Sequence, residues 1–239
     1  MKNIKQTAIF LAARSGSKRL PNKHFLKLND ELMSIDLCIK RLKLSKKIKN
    51  IFLCTTKLKA DEKFKNICKK HNINFFAGEN KNVLKRFIDC ATKNLISNVV
   101  RITADCPLID YKLIDKCFIE HTKNNYDYTS NVLSLSFPDG LDVEIIKTNT
   151  LKKSYELCKS SYNQEHVTPF IKDSKIFKKK NVKNIKDFSD RRWTLDKKKD
   201  FYFIKKISNS FYPKIDFSWQ EILKREKKAK SFKYIEKRK

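Results

Sequence analysis

AIFLAARSGSKRLPNK, residues 8–23, is the stretch whose reading decides the fold. Ala8, Ile9, Phe10, Leu11 and Ala12 form a short apolar run of the kind that makes a strand buried on both faces of a sheet. The run ends abruptly in a loop carrying Arg14, Lys18, Arg19 and Lys23 around Gly16. The small residues Ala12, Ala13, Ser15, Gly16 and Ser17 let the backbone turn tightly, so that its N–H groups can converge on an anion while the cations neutralise charge. Pro21 fixes the exit. A buried strand feeding such a loop is a place to hold phosphates, although the loop has neither the spacing GxxxxGK[ST] nor GxGxxG.

The composition sets bounds around that loop. With 239 residues, 40% of them hydrophobic, the chain suits one α/β domain spanning 1–239 with a full core, and no Gly-, Pro- or Ser-rich linker divides it. The apolar run at 8–13 is far short of the ~20 residues that cross a bilayer, and a charged loop follows where a signal peptide would have its cleavage site. The expected location is the cytoplasm. Seven cysteines, spread through predicted helices and strands without a CxxC pair, read as reduced, buried apolar residues. The formal charge of +29 argues for nucleic acid. The excess is mostly lysine and runs along the whole chain, however, where a nucleic-acid reader gathers basic and aromatic residues on one face. A solvated basic surface that steers anionic substrates is the expected reading, with RNA binding as its rival. Glycine is rare, and Gly16, Gly78 and Gly140 are expected to mark positions where no side chain fits.

Strands and helices then alternate. Leu32, Ile35, Ile39 and Leu42 predict an amphipathic helix over 31–45. NIFLCT, residues 50–55, predicts a second buried strand that leaves Thr55 and Thr56 at its carboxyl end, either as neighbours of a nucleotide or as ordinary strand-end threonines. A helix on Phe64, Ile67, Cys68 and His71 follows, with His71 in the core or at its rim. A short strand over 74–77, a loop at Gly78 and a helix over 81–95 come next. NVVRIT, residues 98–103, is the third buried strand and delivers Asp105 to the sheet edge. A carboxylate there, facing a phosphate loop, is where Mg²⁺ would be held against triphosphate oxygens. Asp110 is better placed to cap the helix over 111–123, which leaves Asp105 free. Strands are expected over Tyr128–Ser134 and in FPDGLDVEII, where period two puts Asp142 and Glu144 on one side. Arg192–Leu195 is expected as a late strand ended by Asp196, followed by a helix over 197–207 and a short one on Trp219, Ile222 and Leu223. The tail from about 225 is expected to be disordered. The pattern predicts a three-layer α/β/α domain with a mostly parallel sheet.

RSGSKRLPNK resembles the N-terminal signature of the cytidylyltransferases that activate sugar acids, of the acylneuraminate type, and within them the branch of the spore coat polysaccharide biosynthesis protein F. FAGENKNVLKRF at 76–87, VRITADCPLID at 100–110, FPDGLDVE at 137–144, EHVTPF at 165–170 and RWTLDKKKDF at 192–201 follow in the expected order. The resemblance implies the nucleotide-diphospho-sugar transferase fold and transfer of CMP from CTP, with loss of pyrophosphate, to a small anionic acceptor. The acceptor it favours is a sugar acid used for surface polysaccharide, with a phosphate- or phosphonate-bearing molecule next. It places Arg86, Gly78 and Thr103 by the nucleotide, with Ala12, Ala13, Arg14, Ser15, Gly16 and Lys23. Arg14, Arg19 and Lys23 would neutralise the departing phosphates, and Asp105 and Asp196 would share Mg²⁺. Asp139, Gly140, Asp142, Glu144, Glu165 and His166 would line the acceptor pocket, Asp142 or Glu144 binding hydroxyls or activating the attacking group, and His166 contacting the acceptor or acting as a base. A homodimer is expected by analogy, and AAR at 12–14, where this branch has QAR, is closer to the PAR of the sugar-acid enzymes. A non-catalytic relative is the remaining alternative, against which both aspartates and the basic loop are retained.

Overall fold

The computed structural model describes residues 6–229 and 234–236. The apolar run forms β1 (Thr7–Ala12), which pairs in parallel with β2 (Asn50–Thr56) on one side and β4 (Asn98–Thr103) on the other. Its side chains alternate between two hydrophobic layers, Ile9 and Leu11 entering one, Ala8 and Phe10 the other. Neither face meets water, which is why the strand reads as an unbroken apolar run. β3 (Asn74–Gly78) extends the parallel part beyond β2. β6 (Glu144–Lys147) joins β4 antiparallel, and β5 (Tyr128–Ser130) and β7 (Lys179–Asn181) complete a seven-stranded sheet in the order β3-β2-β1-β4-β6-β5-β7.

Helices cover both faces, giving three layers. α1 (Ser34–Lys43), α2 (Phe64–His71), α4 (Tyr111–Lys123), α8 (Lys198–Phe211) and α9 (Trp219–Lys228) bury apolar residues in the layer of Ile9 and Leu11. α3 (Val83–Lys93), α5 (Thr148–Leu157) and α7 (Pro169–Asp173) cover the other, with the short α6 (Ser161–His166) against α3 and α7. The chain winds outward from β1 through β2 to β3 and then returns to the far side of β1 as β4, so the strand order reverses at β1. In such a sheet the carboxyl ends on either side of the reversal splay apart and leave a crevice. That crevice lies between the loop after β1 and Asp105.

Several boundaries differ from the sequence pattern. α1 and α3 are shorter than 31–45 and 81–95, and polar side chains fix where they begin: Asp36 accepts from Met33 N at 3.0 Å, and Asn82 from Lys85 N at 2.8 Å. The strand expected over Tyr128–Ser134 ends at Ser130. Beyond it the Asn131 amide replaces the ladder, donating to Leu141 O and accepting from Val143 N, both at 2.8 Å. Asp142 consequently precedes the strand that begins at Glu144, and the two do not share a strand face. Arg192–Leu195 is extended but is not a strand. Its backbone bonds go to separate partners, Trp193 N to Asp139 O and Leu195 N to Asp105 O, both at 2.7 Å. β7 and α5 to α7 have no counterpart in the pattern; β7 is a half-exposed Lys-Lys-Asn edge.

The tail also differs. Residues 225–228 continue α9, and residues 234–236 dock on the 190–192 backbone, with Arg192 N donating to Tyr234 O at 3.1 Å. The remainder of the expected disordered tail lies outside the described residues. All seven cysteines are free thiols, six of them buried. Among the described residues, no helix is long and apolar enough to cross a membrane.

Candidate active site

The crevice at the strand reversal has two compartments. One, of about 660 Å³, is walled by the loop after β1, including Arg14, Gly16, Lys18 and Arg19, and by Arg86 of α3. The other, of about 480 Å³, is walled by Asp139, Asp142, Glu144, Thr168 and Lys172, and almost every side chain lining it is polar. Arg101, Thr103, Asp105 and His166 line both, and so form the seam where a molecule in one would meet a molecule in the other.

At the seam, Lys23 joins two carboxylates. Its Nζ lies 3.1 Å from Asp105 Oδ2 and 3.5 Å from Asp196 Oδ1, and Arg19 reaches Asp196 Oδ2 at 2.5 Å. Burial pushes the Asp105 carboxyl up, but the Lys23 ammonium and the Thr103 hydroxyl outweigh it and hold the group at about 2. Asp110 caps α4 by accepting from Lys112 N at 2.8 Å, which leaves Asp105 turned to the crevice. Asp196 reaches the same place without a strand, because Leu195 is bonded to the Asp105 backbone and Asp196 N donates to Asp200 at 2.9 Å. Asp200 also binds Arg192 and accepts from the Tyr234 hydroxyl at 2.7 Å.

The pair fits a hard divalent cation. Both donors are carboxylate oxygens, and both already share one cationic group. Among the described residues no group of three or more His, Cys, Asp or Glu is gathered, so further ligands would come from phosphate oxygens and water, as Mg²⁺ favours.

Several predicted nucleotide neighbours sit elsewhere. Thr55, Thr56 and Ser15 do not line the crevice; their side chains are committed to Asp61. That carboxylate accepts from Ser15 N at 2.7 Å and from the hydroxyls of Ser15 at 2.5 Å, Thr55 at 2.9 Å and Thr56 at 2.5 Å. Asp61 therefore ties the phosphate loop to the end of β2, a role that KADEK in the sequence does not advertise. Gly16 has no heavy atom within 4 Å of where a Cβ would lie, so lack of space does not explain it. Gly78 passes close to Arg86, whose guanidinium donates to Glu79 O at 2.9 Å and thereby shapes that loop. Arg14 reaches across the crevice to Glu165 at 3.4 Å.

Gly140 does meet the expectation. It has φ +106°, and a Cβ there would lie 2.6 Å from Trp193 C. Gly140→Ala is expected to cost about 2 kcal/mol or more, read as a lower urea midpoint, and to reduce turnover by shifting the backbone that carries Asp196. An unchanged midpoint would refute this.

Two residues on the acceptor side take unexpected positions. Glu144 is buried beneath the compartment, paired to Arg101 and to Lys172 Nζ at 3.1 Å, and accepts from the hydroxyls of Tyr128 at 2.6 Å and Thr168 at 2.8 Å. Burial raises its pKa, but Arg101 and Lys172 together bring it to about 2, so its charge is committed to those two cations. Asp139 is paired to Arg192 at 3.3 Å. Arg101, Lys172 and His24 were not anticipated. Arg101 carries the one visible signal, a charge inside a buried apolar run. His24 lines the first compartment, and burial and Lys23 lower it to about 4, so it is neutral there.

A basic loop facing two carboxylates across an α/β switch point is an arrangement suited to handling a nucleotide. The sequence model of the family described as cytidylyltransferase matches residues 8–236. The chain is 36% identical over 207 residues to an uncharacterized protein of Methanocaldococcus jannaschii, covering 84% of this chain and 82% of that one. It is 27% identical over 222 residues to the spore coat polysaccharide biosynthesis protein SpsF of Bacillus subtilis, covering 89% and 90%. A solved cytidylyltransferase from Leptospira borgpetersenii superposes with a TM-score of 0.90 at 31% identity, covering 95% of this chain and 96% of that one. A CMP:2-keto-3-deoxy-manno-octonic acid synthetase complexed with CTP shares the fold, with a TM-score of 0.64 at 10% identity, covering 86% and 99%. The chain belongs to the cytidylyltransferase family and is a CTP-using nucleotidyltransferase.

Proposed function

We propose that the protein transfers CMP from CTP to a small anionic sugar acid, a precursor of surface polysaccharide, in a Mg²⁺-dependent reaction that releases pyrophosphate. The observation that carries this reading is the seam: Lys23 bridges Asp105 and Asp196 where a basic compartment meets a polar one. CTP would lie in the first with its α-phosphate at the seam and the acceptor in the second. Transfer of this kind needs chiefly positioning and charge neutralisation, and no covalent protein nucleophile. Arg14, Arg19 and Lys23 supply positive charge toward the departing phosphates, and Arg86 shapes the nucleotide side. Asp105 and Asp196 would hold Mg²⁺, which when bound supplies charge stabilisation at the phosphate oxygens. Lys23 and Arg19 are paired to the same carboxylates and line the compartment in which the phosphates would lie. The sugar-acid reading is supported by the acceptor named for the 2-keto-3-deoxy-manno-octonic acid synthetase and by the polysaccharide role named for SpsF.

The test is pyrophosphate release from CTP, with UTP, ATP and GTP alongside, against sugar acids and phosphorylated polyols, with and without Mg²⁺. Release that needs CTP, Mg²⁺ and a sugar acid is expected. Release with a phosphorylated polyol alone would move the acceptor class, and absence of CTP binding would overturn the reading. RNA binding unaffected by Asp105→Asn, in place of turnover, would favour the charge-based alternative.

A further inference from the structure

His166 lies at the seam, and the backbone that presents it is strained. The next residue, Val167, is β-branched and fully buried, yet has φ +73° and ψ −49°. Thr168 N donates to His166 O at 2.9 Å, closing a γ-turn of the rare positive-φ kind. Such a backbone is costly and persists only where its surroundings over-determine it. They do so here. Val167 N donates to Asn163 O at 2.8 Å, Phe170 N donates to Asn163 Oδ1 at 3.2 Å, and the Thr168 hydroxyl is fixed on buried Glu144 at 2.8 Å. The turn ends α6 at His166 and sets its ring against Tyr162, centroids 4.5 Å apart, with the imidazole lining both compartments.

We propose that His166 is the proton acceptor of the transfer step, and that the attacking group is therefore an un-ionised hydroxyl of the acceptor, not a phosphate or phosphonate oxyanion. This rests on the reading of the crevice as a site for CTP and a small acceptor. In the step, an oxygen lone pair of the hydroxyl forms the bond to the α-phosphorus. The bond from that phosphorus to the bridging oxygen breaks, and pyrophosphate leaves with the electron pair. The hydroxyl proton passes to an imidazole nitrogen of His166 and from there to solvent. A phosphate acceptor has no such proton to give at neutral pH, and a histidine built into the seam would be idle.

The nearest carboxylates are already committed: Asp105 to Lys23 at 3.1 Å, and Glu144 to Arg101, Lys172 and the hydroxyls of Tyr128 and Thr168. The acidic residues that line the two compartments with His166 are Glu165 on its own helix, Asp105 after β4, Asp139 and Asp142 before β6, Glu144 within it and Asp196 before α8. The basic ones are Arg14, Lys18, Arg19, Lys23, Arg86, Arg101 and Lys172. Arg14 is paired to Glu165, Arg101 and Lys172 to Glu144, and Lys23 to Asp105 and Asp196.

The experiment compares wild type with His166→Gln. It uses a 2-keto-3-deoxy sugar acid, a polyol phosphate, and water as acceptor in single-turnover CTP hydrolysis by excess enzyme, with CTP affinity measured by calorimetry. With a hydroxyl acceptor, water included, the variant is expected to lose about 10²–10⁴-fold in rate. It should also lose the acidic limb of the pH–rate profile and keep CTP affinity within about threefold. Equal rates, a retained acidic limb, or an enzyme that binds CTP but transfers to no hydroxyl would overturn the assignment. So would transfer to the polyol phosphate alone. Failure of wild type to bind CTP is a separate result, and it overturns the underlying functional reading as well.

Discussion

Asp105→Asn is expected to abolish measurable turnover, a fall of about 10³-fold or more, while the protein stays folded. The side chain is the one carboxylate that lines both compartments while paired to Lys23, and a neutral amide of the same shape removes its charge without opening a cavity. The backbone around it is fixed independently: Asp105 O accepts from Leu195 N at 2.7 Å and from the Thr194 hydroxyl at 3.3 Å. Loss of a charged ligand where phosphate charge shifts forfeits several kcal/mol of transition-state stabilisation, and each ~1.4 kcal/mol is tenfold in rate. The measurement is pyrophosphate release at saturating CTP over a range of Mg²⁺ concentrations, beside a thermal midpoint. A variant within tenfold of wild type would remove Asp105 from the metal site. A rate restored by excess Mg²⁺ would mean that Asp196 alone suffices.

How far the sequence carries the fold and the site follows from the kind of interaction at each residue. β1, β2 and β4 are legible because strands covered on both faces are apolar throughout, and a loop of small and basic residues after one of them is legible as an anion site. The convergence of Asp105 and Asp196 came from resemblance, and it is carried by backbone bonds between residues some ninety positions apart, which no local pattern encodes. Where the reading fails, a side chain has usually taken over a backbone's work. Asn131 ends β5 by replacing the ladder, and Asp61 occupies the hydroxyls of Thr55 and Thr56 that looked free for a nucleotide. Glu144 fails in the same way. The resemblance puts this carboxylate at the second compartment, but no local pattern reveals that two cations neutralise it.

Those cations make Glu144 a position where a substitution is costly for stability. Glu144→Ala would leave Arg101 charged and buried without its carboxylate, and would strand the hydroxyls of Tyr128 and Thr168. Removing one partner of a buried pair costs about 3–5 kcal/mol, a large share of the 5–15 kcal/mol that stabilises an ordinary domain. The pH dependence follows from the same pairing. Glu144 titrates at about 2 in the folded protein and at 4.5 when free, so the folded state favours its ionised form. Its contribution is fully present above about pH 4.5 and is lost as pH falls toward 2, amounting to about 3 kcal/mol. Urea midpoints of wild type should therefore drop steeply across that window, and those of Glu144→Gln, which cannot titrate, should follow a shallower slope. Parallel slopes would show that Arg101 and Lys172 do not hold the carboxylate as described. Because Thr168 is anchored on Glu144 one residue beyond the strained Val167, the same substitution should also reduce transfer rate more than CTP affinity. Stability and catalysis are joined there through a single buried charge.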